Sequence, residues 1–208
     1  MEKKSTRQRI VEESLTLFSQ YGYNGTSVKK IAEAVGIKDS SIYKHFASKQ
    51  EIFDEIAAAI SERIRGMSLE MGLPDDDNLK EQAHFYAGFS VETLTEFTRK
   101  VVLFYLSDPY IVQFRKLAIR EQFSNEVIYE AYRYYYMESS IKFMSSLFQE
   151  MMEQGSLKKS DPEMAAYLFY SPIFLLIHKF EGRETEIEDA LELLEGIVAE
   201  FYKLYFPK

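Results

Sequence analysis

An all-α fold of about nine helices is predicted by three features: the spacing of apolar residues, the helix caps, and the glycine and proline breaks. Apolar side chains recur every three or four residues through most of the 208-residue chain, which is the period of an amphipathic helix. Capping residues precede several of these segments, and Gly or Pro separates them. We expect three amino-terminal helices in a helix-turn-helix domain, followed by a larger helical domain.

The first two helices have recognisable ends. Apolar residues at three- and four-residue spacing, including Ile10 and Phe18, predict an amphipathic helix. Gly22 follows it and supplies the left-handed conformation that commonly ends a helix. A second, short helix is predicted between the capping residue Ser27 and the stop residue Gly36.

The segment SSIYKHF, residues 40–46, predicts a third helix close behind the second. Ile42 and Phe46 are four residues apart, so both can face the core from one side of that helix. Asp39 is the expected amino-terminal cap, because a short acidic side chain can accept hydrogen bonds from the first free N–H groups.

A fourth helix is predicted to open at Ser48, because Glu51 stands at the capping-box spacing. It should end before MGLPDDDN, residues 71–78, which combines Gly, Pro and Asp. Two later segments begin with Asp-Pro, which places a capping acid before a proline at the first helical position. Five further helices are predicted, at residues 78–106, 109–123, 125–154, 161–181 and 186–206.

The last two segments are strongly apolar. The one at 161–181 is apolar nearly all round, so it must bury more than one face, and Pro172 predicts a local distortion inside it. The one at 186–206 carries a single apolar stripe, formed by Ile187, Leu191, Leu194, Ile197, Val198, Phe201 and Tyr205. Both could be core helices of one chain, but pairing with a second copy is the favoured interpretation.

Charge is unevenly distributed along the sequence. The whole chain has a formal net charge of −8. Residues 1–50 contain nine Lys and Arg but only five acids, so they carry +4 and the rest carries −12. A basic amino-terminal segment on an acidic protein indicates that this segment meets a polyanion.

Several function classes are disfavoured by what the sequence lacks. There is no cysteine, no nucleotide-binding, zinc-protease or nucleophile-elbow motif, and the three histidines lack metal-ligand spacing. We therefore expect no enzymatic activity, no cofactor and no metal. There is also no signal-peptide apolar region at the start and no apolar run long enough to cross a bilayer, so we expect a cytoplasmic protein.

Two short helices behind a longer one, joined by a tight turn that contains Gly, make a helix-turn-helix arrangement. Such a helix fits the DNA major groove, where hydroxyl and imidazole groups can meet base edges or phosphates. Lys49, in the first turn of the next helix, could join free backbone N–H groups on one phosphate. With Ile42 and Phe46 buried, the side chains left on or beside the outer face are Ser40, Ser41, Tyr43, Lys44 and His45.

The segment TSVKKIAEAVGIKDSSIYKHFASKQEIF, residues 26–53, resembles the DNA-binding segment of the TetR family of transcriptional regulators. The residues that match its pattern are Thr26, Ile31, Ala32, Gly36, Ile37, Ile42, Tyr43, His45, Phe46, Ser48 and Lys49. The resemblance implies a DNA-binding domain over residues 1–50 and a ligand-binding and dimerisation domain over 51–208. It also implies a homodimer that is formed through the helices at 161–181 and 186–206.

The resemblance also implies roles for individual residues. Tyr43 and Lys49 match phosphate contacts of the family, and Ser27 and Lys29 fall where the first short helix touches the DNA backbone or a base. Lys38 departs from the family pattern, because it stands where many members have a capping Ser or Thr. Asp39 therefore either caps the recognition helix or contacts DNA. The residues placed on that helix are Asp39, Ser40, Ser41, Lys44 and His45.

The implied function is a repressor that binds a double-stranded, pseudo-palindromic operator and is released by a small molecule. The Phe, Tyr and Met content of residues 84–152 suits a pocket for an apolar or aromatic effector, and it suits an ordinary core equally well. Two alternatives remain open: an activator of the same fold, and a helical carrier of hydrophobic molecules that does not bind DNA.

Overall fold

The computed structural model describes residues 4–74 and 78–207, except for the side chain of Glu184. These two ranges are helical with no strand, so the all-α prediction is confirmed. The α-helices of these ranges are α1 (Thr6–Tyr21), α2 (Val28–Val35), α3 (Asp39–Ile42), α4 (Lys49–Glu70), α5 (Leu79–Ala87), α6 (Val91–Ser107), α7 (Pro109–Glu121), α8 (Glu126–Arg133), α9 (Ser139–Glu153), α10 (Pro162–Lys179) and α11 (Ile187–Tyr205). A π-helical segment, Tyr134–Glu138, follows α8 and leads into α9.

Gly22, Ser27 and Gly36 stand at the helix ends that the sequence predicts, but Gly22 has a ψ of 161° and is therefore not in the left-handed helical conformation that was expected. Gly22 follows α1 at a φ of 80°, and its N–H donates to the carbonyl of Phe18. The Ser27 side chain caps α2 by accepting from the N–H of Lys30, at 3.2 Å. Gly36 ends α2 in the left-handed conformation, with a φ of 76°. A β-carbon is disfavoured at such a φ, which is why glycine suits this position.

The start of α3 differs from the prediction that Asp39 is its cap. Lys38 occupies the N-cap position in an extended conformation, and no side chain caps the helix there. Asp39 is instead the first helical residue, and its side chain is exposed. An acid in the first turn still stabilises a helix through the macrodipole, so Asp39 contributes electrostatically and not as a cap.

The start of α4 uses the predicted residues in a modified arrangement. The Ser48 hydroxyl accepts from the N–H of Glu51, at 3.1 Å. The Glu51 carboxylate accepts from the N–H of Ala47, at 2.6 Å, one residue before the Ser48 N–H that a capping box would use. The predicted break after α4 lies partly outside the described residues, at 75–77.

The single helix predicted over 78–106 is wrong, because the chain forms two helices there. Helix α5 ends at Ala87, before Gly88. Ser90 then caps α6 by accepting from the N–H of Thr93, at 3.2 Å. Gly88 lacks a side chain to favour the helical conformation, and Ser90 supplies a new cap two residues later. Together they favour two helices over one.

Contacts divide the chain into two compact units. The first unit comprises the residues up to Ile64 together with Pro109–Arg133, and the second comprises Arg65–Asp108 together with the residues from Tyr134 onward. Helix α7 thus packs with the amino-terminal helices, although it lies far along the sequence. The domain boundary at residue 50 stays a prediction, because compact packing does not test whether a segment folds by itself.

The core of the first unit contains a series of aromatic contacts that ends on α7. Tyr23 contacts both Phe18 and Phe53, with ring centroids 5.1 and 6.1 Å apart. Phe53 in turn stacks on Phe114 of α7 at 6.2 Å. Ile42 and Phe46 are also buried here, as predicted. The ring contacts join α1, α4 and α7, and Ile42 and Phe46 anchor α3 and the turn after it in the same core.

The core of the second unit uses the apolar stripe of α11. Phe148 of α9, Phe169 of α10 and Phe201 of α11 contact one another, with centroids 4.7 to 6.0 Å apart. Leu191, Leu194 and Val198 are buried as well. Most of this stripe therefore packs within its own chain, and the pairing of the last two helices with a second copy stays a prediction.

Other apolar residues of the last two helices are exposed. Leu168 and Leu175 of α10 are 59% and 64% exposed, and Leu204 of α11 is 61% exposed. We use the term apolar face for the exposed residues Met164, Leu168 and Leu175 of α10 and Leu193 and Leu204 of α11. Within each helix the spacings of 4, 7 and 11 residues place these side chains on one side. Helix α10 continues through Pro172, so the proline does not end this helix, and the local distortion expected there stays a prediction.

Candidate nucleic-acid interface

The buried and exposed residues of α3 and the following turn separate as the sequence predicts. Ile42 and Phe46 are each 1% exposed, so they hold this segment to the core. Ser40, Tyr43 and Lys44 are exposed, and the Tyr43 ring is 60% exposed. An exposed aromatic ring beside an exposed ammonium group, on a segment held by two buried anchors, is suited to contact with a phosphate backbone.

The remaining predicted contact residues lie on both sides of this segment. Ser41 and His45 are half-buried, whereas Ser27 and Lys29 of the α2 start are exposed. The Ser27 hydroxyl already accepts one hydrogen bond as a cap, and a hydroxyl can still donate its proton to a phosphate. The DNA roles of all these residues, and of Asp39, stay predictions.

Arg7 of α1 fixes the carboxyl-terminal end of the α3 segment. Its guanidinium donates to both carboxylate oxygens of Glu55 in α4, at 3.2 and 2.9 Å. It also donates to the His45 carbonyl at 2.5 Å and lies over the Phe46 ring, 4.1 Å from the centroid. A planar guanidinium suits this combination, because it can make a bidentate ion pair and stack on a ring. In the sequence, Arg7 is visible only as one positive charge of the basic amino-terminal segment.

The Arg7–Glu55 pair predicts a loss of stability in acid. The hydrogen bond from Arg7 lowers the pKa of Glu55 below its ordinary value of 4.5. A carboxylate with a lowered folded-state pKa stabilises the fold above its unfolded pKa, and this contribution is lost as the pH falls through the folded pKa. Unfolding monitored between pH 7 and pH 3 should therefore show a smaller loss of stability in Glu55→Gln than in the wild type. The difference should stay below about 1 kcal/mol, because the pair is partly solvated. An equal loss in both proteins would contradict this assignment.

Lys49 is held inside the first unit. Its ammonium donates to the carbonyls of Tyr23 and Thr26, at 2.8 and 3.1 Å, and lies 4.1 Å from the Tyr23 ring centroid. Burial lowers the pKa of Lys49, and the negative charge of Glu121 acts against that shift. An ammonium has three donors, so one N–H remains for a phosphate. Lys49 therefore supports the structure whether or not it contacts DNA.

Glu121 of α7, like Lys49, bonds the backbone of Tyr23 in the turn between α1 and α2. Its buried carboxylate accepts from the N–H of Tyr23, at 3.0 Å, and from the Ser124 hydroxyl, at 2.9 Å. Gly22 lies against this carboxylate, and a β-carbon there would come within 2.5 Å of Glu121 Oε1. A glycine is therefore required at position 22 both by its positive φ and by the approach of Glu121. No sequence motif marks this long-range contact.

Three lysines present ammonium groups that are not used inside the protein. Within the described part of residues 1–50, Lys29, Lys38 and Lys44 are exposed and make no hydrogen bond or ion pair. Lys4, by contrast, pairs with Glu12 at 2.7 Å, and Lys30 donates to the Gly25 carbonyl at 3.1 Å. In the sequence, Lys38 stands out only as a residue that cannot cap a helix, and no local pattern marks its exposed ammonium group as a candidate phosphate contact.

Two kinds of feature are absent from residues 4–74 and 78–207. None of the described helices has the length and apolarity needed to span a bilayer. Within the same ranges, no group of three or more His, Cys, Asp or Glu is placed to hold a metal ion.

Comparisons with known proteins agree with a regulatory function. Residues 10–56 match the family model described as bacterial regulatory proteins, tetR family. The biofilm operon icaADBC HTH-type negative transcriptional regulator IcaR of Staphylococcus aureus is 26% identical over 157 residues, which are 70% of this chain and 77% of that protein.

Solved structures share the fold over nearly the whole chain. A structure from Mesorhizobium loti, assigned to the TetR family, is 20% identical with a TM-score of 0.72 and covers 99% of this chain and 100% of its own. The complex of SmeT with triclosan is 17% identical with a TM-score of 0.65, and it covers 99% of this chain and 93% of its own. SmeT is the repressor of the multidrug efflux pump SmeDEF of Stenotrophomonas maltophilia.

Proposed function

Because the chain belongs to the TetR family of transcriptional regulators, we propose that it is a repressor that binds a pseudo-palindromic operator as a homodimer and is released by a small molecule. The observation that carries the proposal is the α3 segment, in which Ile42 and Phe46 are buried while Tyr43 and Lys44 are exposed. Lys29 lies in the first turn of α2 and Lys38 directly precedes α3, and both side chains are exposed.

The repressor and effector parts of the proposal are supported by relatives. IcaR is a negative regulator, and SmeT is a repressor that has been solved with triclosan bound. In a dimer, two α3 segments related by a twofold axis would read half-sites roughly 34–36 Å apart, or a multiple of that distance. A ligand would change operator affinity only to the extent that it binds one conformation of the dimer better than the other.

The decisive experiment is the selection of bound sequences from a random duplex pool with the purified full-length protein. We expect enrichment of a pseudo-palindrome whose half-sites are about one helical turn, or a multiple of it, apart. Failure to enrich any sequence at low ionic strength would contradict the proposal and would favour a helical carrier without DNA binding.

Lys44→Ala and Lys49→Ala should separate phosphate contact from structural support. Lys44→Ala should weaken binding to all duplexes similarly and lower the slope of log affinity against log salt by about one, with unchanged stability. Lys49→Ala should also lower the free energy of unfolding by about 1–2 kcal/mol, because it leaves two backbone carbonyls without their donor. Salt-dependent binding and thermal unfolding measure the two effects.

Lys4→Ala is the matched control for this pair of variants. Lys4 is exposed and already paired with Glu12, so its removal should change neither the salt slope nor the stability by much. An unchanged slope in Lys44→Ala would show that this ammonium does not contact a phosphate.

A further inference from the structure

The turn between α1 and α2 contains the only Asn-Gly pair in the sequence, Asn24-Gly25, and both residues are exposed. The N–H of Thr26 donates to the Tyr23 carbonyl at 3.3 Å, so the pair lies at the centre of a four-residue turn. Asparagine is thermolabile because its side-chain amide can react with the next backbone nitrogen. A following glycine has no side chain to shield that nitrogen. The pair is therefore a candidate site of spontaneous chemical change.

The other two asparagines of the chain are held by hydrogen bonds. The Asn78 side chain accepts from the N–H of Glu81 at 3.2 Å, and the Asn125 side chain accepts from the N–H of Ile128 at 3.3 Å. Each bond lies in the first turn of the helix that follows, and the residue after each asparagine carries a long side chain. In the described part of the chain, the Asn24 side chain makes no hydrogen bond. The structure thus separates one reactive asparagine from two protected ones.

Glycine is required at position 25 by the packing of the turn. A β-carbon there would clash with the carbonyl oxygen of Tyr21, so any other residue would displace the turn. The N–H of Gly25 makes no hydrogen bond within residues 4–74 and 78–207, so its nitrogen is available for reaction. The fold therefore retains the reactive pair, and position 24 is where the pair can be removed without disturbing the turn.

Two lysines bond the backbone of this turn. The Lys49 ammonium donates to the carbonyls of Tyr23 and Thr26, at 2.8 and 3.1 Å. The Lys30 ammonium donates to the Gly25 carbonyl, at 3.1 Å. A carboxylate that formed within the turn would stand beside these two ammonium groups and would offset their positive charge.

We propose that Asn24 deamidates through Gly25 and that the product binds DNA more weakly. The backbone nitrogen of Gly25 forms a bond to Cγ of Asn24, and the bond from Cγ to the amide nitrogen breaks. That nitrogen leaves as ammonia with the proton that Gly25 loses. Water then opens the cyclic imide and gives aspartate or isoaspartate. Either product adds one negative charge to the turn, and isoaspartate also adds one carbon atom to the backbone.

The effect on binding rests on the proposed function, because it requires DNA at the start of α2. Ser27 and Lys29, which are predicted to contact DNA there, follow the turn directly and are exposed. A carboxylate at residue 24 would repel the phosphates that these residues are proposed to meet. Repulsion between exposed charges is screened by salt, so the loss of affinity should be larger at low ionic strength.

Peptide mapping by mass spectrometry, after incubation of the full-length protein at mildly alkaline pH, tests the modification. We expect Asn24 to convert to aspartate and isoaspartate while Asn78 and Asn125 in the same sample stay intact. Asn24→Gln should stay unconverted over the same time, because its longer side chain closes a larger ring less readily. Equal conversion at all three asparagines, or an unchanged Asn24, would overturn the proposal.

Binding to the duplex selected from the random pool tests the consequence. Asn24→Asp should bind about threefold to tenfold more weakly than the wild type at low salt. Incubated wild type should lose at least as much affinity once it is converted, whereas incubated Asn24→Gln should keep its affinity. Asn78→Asp is the matched control, because it adds the same charge in the second unit and aspartate also caps a helix.

The two parts of the inference can fail separately. Wild-type affinity in both Asn24→Asp and converted protein would overturn the effect on binding and leave the proposed function standing. A fresh wild type that binds no duplex would overturn the proposed function together with the effect on binding. Conversion at Asn24 is decided by the mass map alone, whichever of these results is obtained.

Discussion

Arg7→Ala is expected to weaken specific DNA binding strongly while leaving the second unit folded. The side chain joins three elements: it pairs with Glu55 of α4, bonds the His45 carbonyl and stacks on Phe46. Its loss frees the end of the α3 segment, where Tyr43 and Lys44 are exposed. Displacing one or two base contacts, each worth about 1–3 kcal/mol, should lower operator affinity by about 10- to 100-fold or more.

Arg7→Lys is the informative control for this prediction. A lysine keeps the positive charge but cannot make the bidentate pair with Glu55 and bond the His45 carbonyl at once. It should therefore lose most of the affinity that Arg7→Ala loses, although the net charge is unchanged. Binding measured at one salt concentration with a fixed operator compares the three proteins. Full affinity in Arg7→Lys would show that Arg7 acts only as a charge.

Thermal unfolding shows whether Arg7→Ala loses affinity because the α3 segment is misplaced or because the protein unfolds. Arg7 is 40% exposed, so its removal should lower the free energy of unfolding by only about 1–2 kcal/mol. Circular dichroism at the temperature of the binding assay should therefore show a folded protein with reduced affinity. Global unfolding of Arg7→Ala under those conditions would contradict the positioning role.

Helix periodicity and capping residues were enough to predict α1 and α2. Ser27, Gly22 and Gly36 act over a few residues, so their effects are legible in the local sequence. The start of α3 was mispredicted because the Lys38 backbone takes the N-cap conformation without a capping side chain. Here the position is imposed by the burial of Ile42 and Phe46, which outweighs a missing cap.

Long-range contacts of the candidate interface could not be predicted from the sequence. Glu121 meets the Tyr23 N–H across 98 residues, and Arg7 meets Glu55 across 48. Both depend on the tertiary packing of α7 and α4 against α1, which periodicity does not reveal. The contacts of Lys49 could not be predicted for the same reason. Its position in the sequence suggested an available ammonium group, but two of its three donors bond the carbonyls of Tyr23 and Thr26.

The apolar stripe of α11 shows how one pattern can have two explanations. Periodicity identified the residues that must be buried but not the surface that buries them. Leu191, Leu194 and Val198 pack inside the chain, whereas Leu193 and Leu204, between and beyond them, are exposed. The candidate dimer surface is therefore rotated around the helix from the stripe that suggested it.

Leu168→Glu is expected to separate the proposed dimer and to cause the largest loss of operator affinity. Leu168 is 59% exposed in the single chain, so glutamate is tolerated there by the fold. In a dimer interface the added carboxylate would be buried without a partner, at a cost of several kcal/mol. A monomer binds only one half-site. It therefore loses the gain in affinity that comes from linking two binding modules, which is a factor of about 10²–10⁴. Sedimentation and operator binding should change together.

Leu69→Glu and two glycine variants show whether this effect belongs to the apolar face. Leu69 of α4 is also an exposed leucine, at 50%, and its replacement should leave the dimer intact. Gly196 in α11 and Gly66 in α4 are both helical and have open space around an added β-carbon. Alanine should stabilise either helix by up to about 1 kcal/mol.

Gly196 lies near Leu193 and Leu204 on the helix surface, so a close crossing of two copies would explain a glycine there. Gly196→Ala should then weaken the dimer while Gly66→Ala does not, and equal dimer affinities in both would place the interface away from α11.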